Sequence, residues 1–197
     1  MHYVILRAVV AYEEMKRFLT LGLLLVGVLA APTAYYPYGI GYSWTYSSGM
    51  EQVFTREQNG MLVFERRLAK QPVSADLLRY TPDKGVLLEG LIVGQAVQRY
   101  NPPLQLYPAP PLVLGQEWGG RSNFGGQSVA LLGKVLRIEG VSVPAGRFNA
   151  YVIRTSTVTS GGGSQVMEIY FVPGVGIVRY ATPDGGTVDL VKFTVPK

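Results

Sequence analysis

The chain has 197 residues, of which 48% are hydrophobic and only 16% are charged, a balance that supplies a core and excludes intrinsic disorder. It contains no cysteine, and its one histidine is His2, which excludes disulfides, thiol catalysis, histidine-based triads and most zinc sites. The formal net charge of +5 comes from scattered Lys and Arg residues, which indicates a mixed solvated surface and no nucleic-acid partner.

Residues 15–34 have the pattern of a secretory signal peptide. Met15–Arg17 is a basic start and Phe18–Ala31 is an apolar run of 14 residues. This run is shorter than the ~20 residues that span a bilayer, so no permanent transmembrane anchor is expected. Ala30, Ala31 and Ala34 are small residues at which the signal peptide can be cleaved, and the sequence does not choose among them. The pattern predicts export to the periplasm, the cell envelope or the outside of the cell.

The segment before this basic start does not fit a signal peptide that begins at Met1. Glu13 and Glu14 would place acidic residues directly before the basic region. We therefore interpret residues 1–14 as a mis-assigned upstream extension, with Met15 as the hypothetical true start.

Short alternating runs broken by Gly, Pro, Asn and Asp extend from Tyr35 to the C-terminus and predict one all-β domain over residues 35–197. Asn59-Gly60 predicts a type I′ hairpin turn, because both of its central positions need positive φ. Ser74–Asp76 is predicted to form a single helical turn. The predicted strands of the first half are Tyr42–Tyr46, Glu51–Glu57, Met61–Leu68, Leu77–Thr81, Val86–Ile92 and Ala96–Tyr100.

Two stretches rich in Pro or Gly lie in the middle of the chain. Residues 101–111 contain five prolines, which cannot donate to a ladder, so we predict an extended connection between two halves of the fold. A proline-rich ligand for an aromatic groove is the alternative. Residues 119–126 are rich in glycine but lack the Gly-Lys-Ser/Thr of a phosphate loop, and they are predicted to form a mobile hairpin tip.

The C-terminal half is predicted to be an antiparallel meander. Pro144-Ala145-Gly146 favours a type I turn and Pro173-Gly174 a type II turn, with Gly176 at a bulge or a close backbone approach. Together with Asn59 and Gly60, these turn residues are interpreted as structural. The predicted strands are Val129–Val143, Arg147–Thr157, Gln165–Val172, Gly176–Ala181 and Thr187–Val195.

Three motifs occur in order in this half: Gly-x-x-Trp at 115–118, Pro-Ala-Gly-x-Phe at 144–148, and Pro-Gly-Val-Gly-x-Val at 173–178. In this order they resemble a broad group of uncharacterised exported bacterial β-rich proteins. The chain is also similar in style to the periplasmic lipoprotein-carrier and mycobacterial lipoprotein families. That resemblance implies a curved half-barrel sheet that holds acyl chains.

The candidate catalytic groups are carboxylates, since neither a thiol nor a usable histidine is present. A glycosidase needs two carboxyl groups at a set separation, ~5 Å or ~6.5–9.5 Å. Several of these carboxylates have a structural explanation, because they follow Pro in turns or alternate with apolar residues on solvent faces. We therefore predict no catalytic residue and no cofactor. We also predict no metal site, since a calcium loop clusters its oxygen ligands at alternate positions. The full set is Glu51, Glu57, Glu65, Asp76, Asp83, Glu89, Glu117, Glu139, Glu168, Asp184 and Asp189.

Aromatic residues supply the candidate ligand-binding positions, because their rings can stack on a ligand. The candidates are Tyr42, Trp44, Tyr46 and Trp118. Packing of the first strand is the alternative for the first three. For Tyr35, Tyr36 and Tyr38, packing and binding are equally open.

The predicted fold is a single all-β domain of about ten antiparallel strands in a curved sheet, half-barrel or open barrel. Several strands carry aliphatic residues on both faces, more than a one-sided sheet requires. The predicted function is therefore a non-catalytic exported envelope protein that binds a lipid-like apolar ligand or an envelope protein partner on a concave face. The alternatives are a structural or assembly protein of the cell surface, and a carbohydrate-active enzyme with paired carboxylates.

Overall fold

In the computed structural model, which describes residues 34–196, twelve antiparallel strands follow one another around a closed barrel. The strands are β1 (Ser43–Tyr46), β2 (Met50–Gln58), β3 (Met61–Leu68), β4 (Gln71–Thr81), β5 (Gly85–Val93), β6 (Ala96–Tyr107), β7 (Glu117–Phe124), β8 (Gln127–Val143), β9 (Gly146–Thr159), β10 (Ser164–Val172), β11 (Gly176–Ala181) and β12 (Thr187–Thr194). Pairing of β1 with β12 closes the barrel, with Ser43 opposite Thr194 and Trp44 opposite Phe193.

The prediction of one all-β antiparallel domain is confirmed; the structure has twelve strands where about ten were predicted, and its sheet closes into a barrel where a curved sheet, half-barrel or open barrel was predicted. Residues 119–126, predicted as a hairpin tip, lie mostly in β7, and only Gly125 and Gly126 form the turn. Gly119 allows this, because a Cβ there would fall 2.2 Å from the Leu131 carbonyl oxygen.

The predicted helical turn at Ser74–Asp76 is also wrong, since these residues belong to β4. Ser74 and Asp76 pair with Arg66 and Phe64 of β3, and the ladder overrides the local preference for a turn. The predicted signal peptide, except for Ala34, and the upstream extension lie outside the described residues. Within residues 34–196 there is no helix with the length and apolar character needed to span a bilayer.

The proline-rich stretch lies partly in β6, which includes residues up to 107, and residues 108–116 form the loop to β7. The β5 partners of β6 jump from Gly90, opposite Arg99, to Leu88, opposite Leu104. Pro102 and Pro103 lie in this jump, because proline has no N–H to donate to the ladder. One residue pair, Asn101 with Asn123, joins β6 to β7.

The turns predicted from Asn, Gly and Pro each lie between two consecutive strands of the barrel. Asn59 and Gly60 both have positive φ, 53° and 72°, between β2 and β3. At the turn between β10 and β11, the Val175 amide donates to the Val172 carbonyl (3.0 Å). Pro144 lies in the short turn that ends at Gly146, the first residue of β9, and Pro173-Gly174 lies between β10 and β11.

Successive turns of the meander lie alternately at the two ends of the barrel. One end, which we call the mouth, carries the turns at 47–49, 69–70, 94–95, 125–126, 160–163 and 182–186. The other end, the floor, carries the turns at 59–60, 82–84, 108–116, 144–145 and 173–175.

The N-terminal tyrosines lie across the floor. The Tyr36 hydroxyl donates to the Pro108 carbonyl (2.8 Å), and the Tyr38 hydroxyl donates to the Leu78 carbonyl (2.8 Å). The Gly174 amide donates to the Tyr35 carbonyl (3.0 Å). These contacts join the N-terminal segment to three separate parts of the barrel and close this end.

Charged residues on the outward faces of the strands form ion pairs. Glu65 lies 2.9 Å from Arg56 and 2.7 Å from Arg67, and Glu168 lies 2.8 Å from Arg154. Aromatic and aliphatic side chains point inward and form the main core. A second buried cluster of Met61, Val63, Ala75 and Leu77 lies on β3 and β4, and none of these residues lines the cavity.

Substitution of Gly133 tests the packing of the Trp118 ring against β8. A Cβ at Gly133 of β8 would fall 2.4 Å from the Trp118 indole, which is buried. We expect Gly133→Ala to lower the free energy of unfolding by about 1–3 kcal/mol, as overpacking does, measured by urea unfolding. Gly140→Ala on the same strand is the control, because a Cβ there meets only Asn149 Oδ1, at 3.8 Å. Equal midpoints for the two variants would contradict this packing.

Candidate ligand-binding cavity

The barrel encloses a cavity of about 590 Å³. Eight strands make a barrel whose side chains just fill the interior, and twelve leave additional space. The volume lies within the ~300–1,000 Å³ that is usual for ligand pockets. Because strand residues alternate between faces, lining residues of one strand are often two positions apart, as are Gln52 and Phe54 of β2 and Thr155 and Thr157 of β9.

Aromatic side chains form the floor half of the cavity. Trp44 of β1 packs edge-on against Phe54 and Phe64, with ring centroids 6.0 and 5.7 Å apart, and Tyr36 stacks on Tyr107 at 5.4 Å. The Trp44 indole donates to the Val175 carbonyl (2.6 Å), so its one polar atom has a partner. The remaining apolar lining includes Leu78, Val86, Leu88, Leu104, Leu106, Ile169, Phe171 and Ile177.

Gly176 provides the space that Trp44 occupies. Its φ is +97°, and a Cβ there would fall 2.9 Å from Trp44 Nε1. The predicted close approach at Gly176 thus corresponds to contact between the turn after β10 and an aromatic ring of the cavity wall.

Polar side chains line the mouth half of the cavity. They are Gln52, Arg66, Asp76, Tyr100, Thr155, Thr157, Gln165 and Tyr180; Asp76 lies at the middle of β4, and the others lie in the part of their strands nearer the mouth turns. Gln165 is exposed, whereas Trp44 and Phe54 near the floor are each 4% exposed. The cavity is therefore accessible from the mouth and closed at the floor.

An ion pair between Arg66 and Asp76 faces the cavity. Both carboxylate oxygens of Asp76 accept from the guanidinium, Oδ1 at 3.0 Å from Nη1, and Oδ2 from Nη2. Burial opposes the charge of Arg66, but the attraction of Asp76 and its hydrogen bonds outweigh burial and raise the pKa of Arg66. The guanidinium therefore stays charged, and its charge is balanced by Asp76, which is 6% exposed.

Tyrosines surround this ion pair within the barrel. The Tyr180 hydroxyl forms hydrogen bonds with the Gln52 amide group at 3.2 and 3.3 Å, and the Tyr46 hydroxyl donates to the Ile177 carbonyl at 3.0 Å. Burial is the main cause that raises the pKa of Tyr46, Tyr107 and Tyr180 above 10.0. Tyr107 nevertheless keeps partly accessible surface, which faces the cavity.

The polar part of the lining contains one carboxylate and several uncharged side chains. Asp76 is the only carboxylate among the described residues that line the cavity, whereas glycosidase chemistry needs two. In the described part of the chain, no cluster of three or more His, Cys, Asp or Glu residues could hold a metal ion. Tyr, Thr and Gln side chains offer uncharged donors and acceptors.

No protein-family model matches the chain, and no curated protein matches it significantly. Two solved structures are similar to it. A predicted lipoprotein from Parabacteroides distasonis ATCC 8503 is 12% identical with a TM-score of 0.41, over 83% of this chain and 100% of that one. A predicted exported protein with a YmcC-like fold from Bacteroides fragilis NCTC 9343 is 11% identical with a TM-score of 0.46, over the same shares. Similarity at this level establishes neither a family nor a function.

Two of the four predicted ligand-binding residues, Trp44 and Tyr46, line the cavity. Tyr42 lies outside the lining, stacked on Trp44 and Phe193 at 6.3 and 6.0 Å. Trp118 is 7% exposed and donates from its indole to the Leu106 carbonyl (2.9 Å), so it fastens β7 to β6 without lining the cavity. A binding role for Trp44 and Tyr46 stays a prediction.

Sequence reasoning missed the polar half of the cavity. Alternation with apolar residues indicates a solvent face for Glu65 and therefore the opposite face for Arg66, but it does not show that this opposite face encloses a cavity. Asp76 carried a clearer signal, because it precedes Leu77 and Leu78 within a buried strand. An acidic residue in such a run needs a buried partner.

Alkaline titration tests the burial of the tyrosines. Their folded-state pKa values are raised above the ~10 of an unfolded chain, so the stability they contribute is present below pH 10 and is lost as the pH rises above it. We expect absorbance at 295 nm to rise in two phases, the second coinciding with loss of circular dichroism. Tyr107→Phe should reduce only the second amplitude. Ionisation of all tyrosines near pH 10 with an unchanged fold would contradict this burial.

Proposed function

We propose that this protein is a non-catalytic, exported cell-envelope protein that binds a lipid-like ligand inside its barrel. The observation that carries the proposal is the cavity of about 590 Å³, with an aromatic floor and a polar mouth. Burial of a methylene group contributes about 0.8 kcal/mol, so an alkyl chain that reaches the floor gains affinity with every carbon. The binding surface is the barrel interior and not the concave face of an open sheet.

The size of the cavity supports a ligand with a single chain. At about 30 Å³ for each water-sized group, the cavity of about 590 Å³ holds on the order of 20 non-hydrogen atoms. The rings of Trp44, Phe54 and Phe64 hold one another in edge-on and tilted contacts, so this wall needs little ordering when a ligand binds.

The two other functions have less support. Assembly by β-augmentation uses free strand edges, and each of the twelve described strands already has a neighbour on both sides. A carbohydrate-active enzyme needs two carboxylates at its site, and the lining offers Asp76 alone, paired with Arg66. An envelope protein as partner stays an alternative for the outer surface.

A pair of tryptophan substitutions on β9 tests ligand binding. Thr155 faces the cavity, whereas Ser156, the next residue, faces outward. We expect the uncharged dye N-phenyl-1-naphthylamine to bind the unaltered protein with increased fluorescence, and Thr155→Trp to weaken this binding about tenfold or more by filling the cavity. Ser156→Trp should bind as the unaltered protein does. No dye binding by the unaltered protein, or equal binding by both variants, would refute the proposal.

Export is proposed from the signal-peptide pattern at residues 15–34. If the chain is secreted in a bacterial host, we expect the mature protein to begin directly after Ala30, Ala31 or Ala34, as determined by N-terminal sequencing. The cytoplasmic fraction serves as the control for unprocessed chain. A native peptide from residues 2–14 in the mature protein would contradict both export and the interpretation of Met15 as the start.

A further inference from the structure

We infer that the cavity selects amphiphiles whose head group is uncharged and carries a hydroxyl or a carbonyl, such as a long-chain alcohol or a monoacylglycerol. This inference rests on the proposed function and narrows it to a chemical class of ligand. It is carried by the balance of charge and by the hydroxyl groups of Tyr100 and Tyr107, two residues of the cavity lining.

The lining residues have no net charge. Arg66 and Asp76 are the only Lys, Arg, Asp or Glu residues among the described residues that line the cavity, and they carry opposite charges. Asp76 uses both carboxylate oxygens on the guanidinium, so neither charge is left for a ligand to neutralise. A carboxylate head that approaches Arg66 meets the negative charge of Asp76, and an ammonium head that approaches Asp76 meets Arg66.

A charged head group would also lose its hydration inside the barrel. The desolvation of an ion is repaid only by a well-placed opposite charge with additional hydrogen bonds. The ion pair offers no such excess charge, so charged heads are disfavoured relative to an uncharged head on the same chain.

Uncharged polar groups at the cavity remain able to bind a ligand. Among residues 34–196, no hydrogen-bond partner is found for the hydroxyls of Tyr100 and Tyr107, and both side chains line the cavity. The Tyr100 ring is held by stacking on Phe124, with ring centroids 4.3 Å apart. A phenol can donate to a carbonyl and can both donate to and accept from an alcohol, so these groups match an uncharged head.

The positions of these groups also match an amphiphile. Tyr100 lies in the part of β6 nearest the mouth, close to the Gln52–Tyr180 and Arg66–Asp76 contacts, whereas the floor is formed by apolar rings. A ligand with its chain on the floor thus places its head among hydroxyl and amide groups. The mouth half also contains Leu91, Val129, Leu131 and Met167, so the head group would meet polar groups set among apolar side chains, while the chain meets an aromatic floor.

Competition among three ligands with the same chain tests the inference. Hexadecan-1-ol, hexadecanoate and hexadecylammonium are each used at pH 8 to displace N-phenyl-1-naphthylamine from the full chain. We expect the alcohol to displace the dye at about tenfold lower concentration than either ion. The inference would be overturned if hexadecanoate or hexadecylammonium displaced the dye at concentrations equal to or below that of the alcohol. The proposed function would still stand in that case, because it rests on binding of the dye itself.

Charge variants of the Arg66–Asp76 pair test whether the balance of charge causes the preference for an uncharged head group. Asp76→Asn leaves Arg66 uncompensated and is expected to improve hexadecanoate relative to the alcohol, whereas Arg66→Gln is expected to improve hexadecylammonium. Asp189→Asn is the matched control, because Asp189 pairs with Arg179 in the same way, at 2.5 and 2.7 Å, but lies outside the cavity lining. If Asp76→Asn does not fold, as judged by circular dichroism, the comparison of Arg66→Gln with the unaltered protein still tests the role of the pair. An unchanged order of ligands in folded cavity variants would overturn the role of the pair.

Discussion

Closure of the barrel is the constraint on which the rest of the structure depends. Pairing of β1 with β12 joins the two ends of the domain, and every described strand then has two neighbours. A closed barrel of twelve strands has an interior that is wider than its side chains readily fill. Aromatic residues occupy the floor half, and Tyr35, Tyr36 and Tyr38 cover that end, so the remaining space forms a cavity that is accessible from the mouth.

The junction of β6 with β7 has fewer ladder pairs than any other junction of the described barrel. One ladder pair joins the two strands, because Pro102 and Pro103 interrupt β6 where it leaves β5. Side chains replace the missing ladder: the Trp118 indole bonds to the Leu106 carbonyl, and Leu104 packs with Val129 and Leu131. The tryptophan that the sequence analysis assigned to a ligand therefore contributes to closing the barrel, and Gly133 makes room for its ring.

The Arg66–Asp76 pair lines the cavity, whereas the outward ion pairs do not, and we propose that it serves ligand selection. An exposed pair contributes little to stability, and a buried pair is often no more stable than apolar residues of the same volume. Its position on the cavity wall is more readily explained by ligand selection, since it adds polarity to the mouth half without adding net charge. In this proposal, the uncharged hydroxyls of Tyr100 and Tyr107 are the groups that meet the ligand.

The sequence by itself determined the class of fold, the alternation of the strands and the position of most turns, because these follow from local preferences such as the positive φ of Asn59 and Gly60. It could not determine closure, which depends on Ser43 meeting Thr194 at the far end of the domain. It indicated a solvent face for Glu65, but it could not show that Arg66, on the opposite face, lines a cavity and pairs with Asp76. Only the tertiary structure decided these points: the curvature of the closed sheet sets which face of β3 is enclosed, and with it brings Arg66 to Asp76.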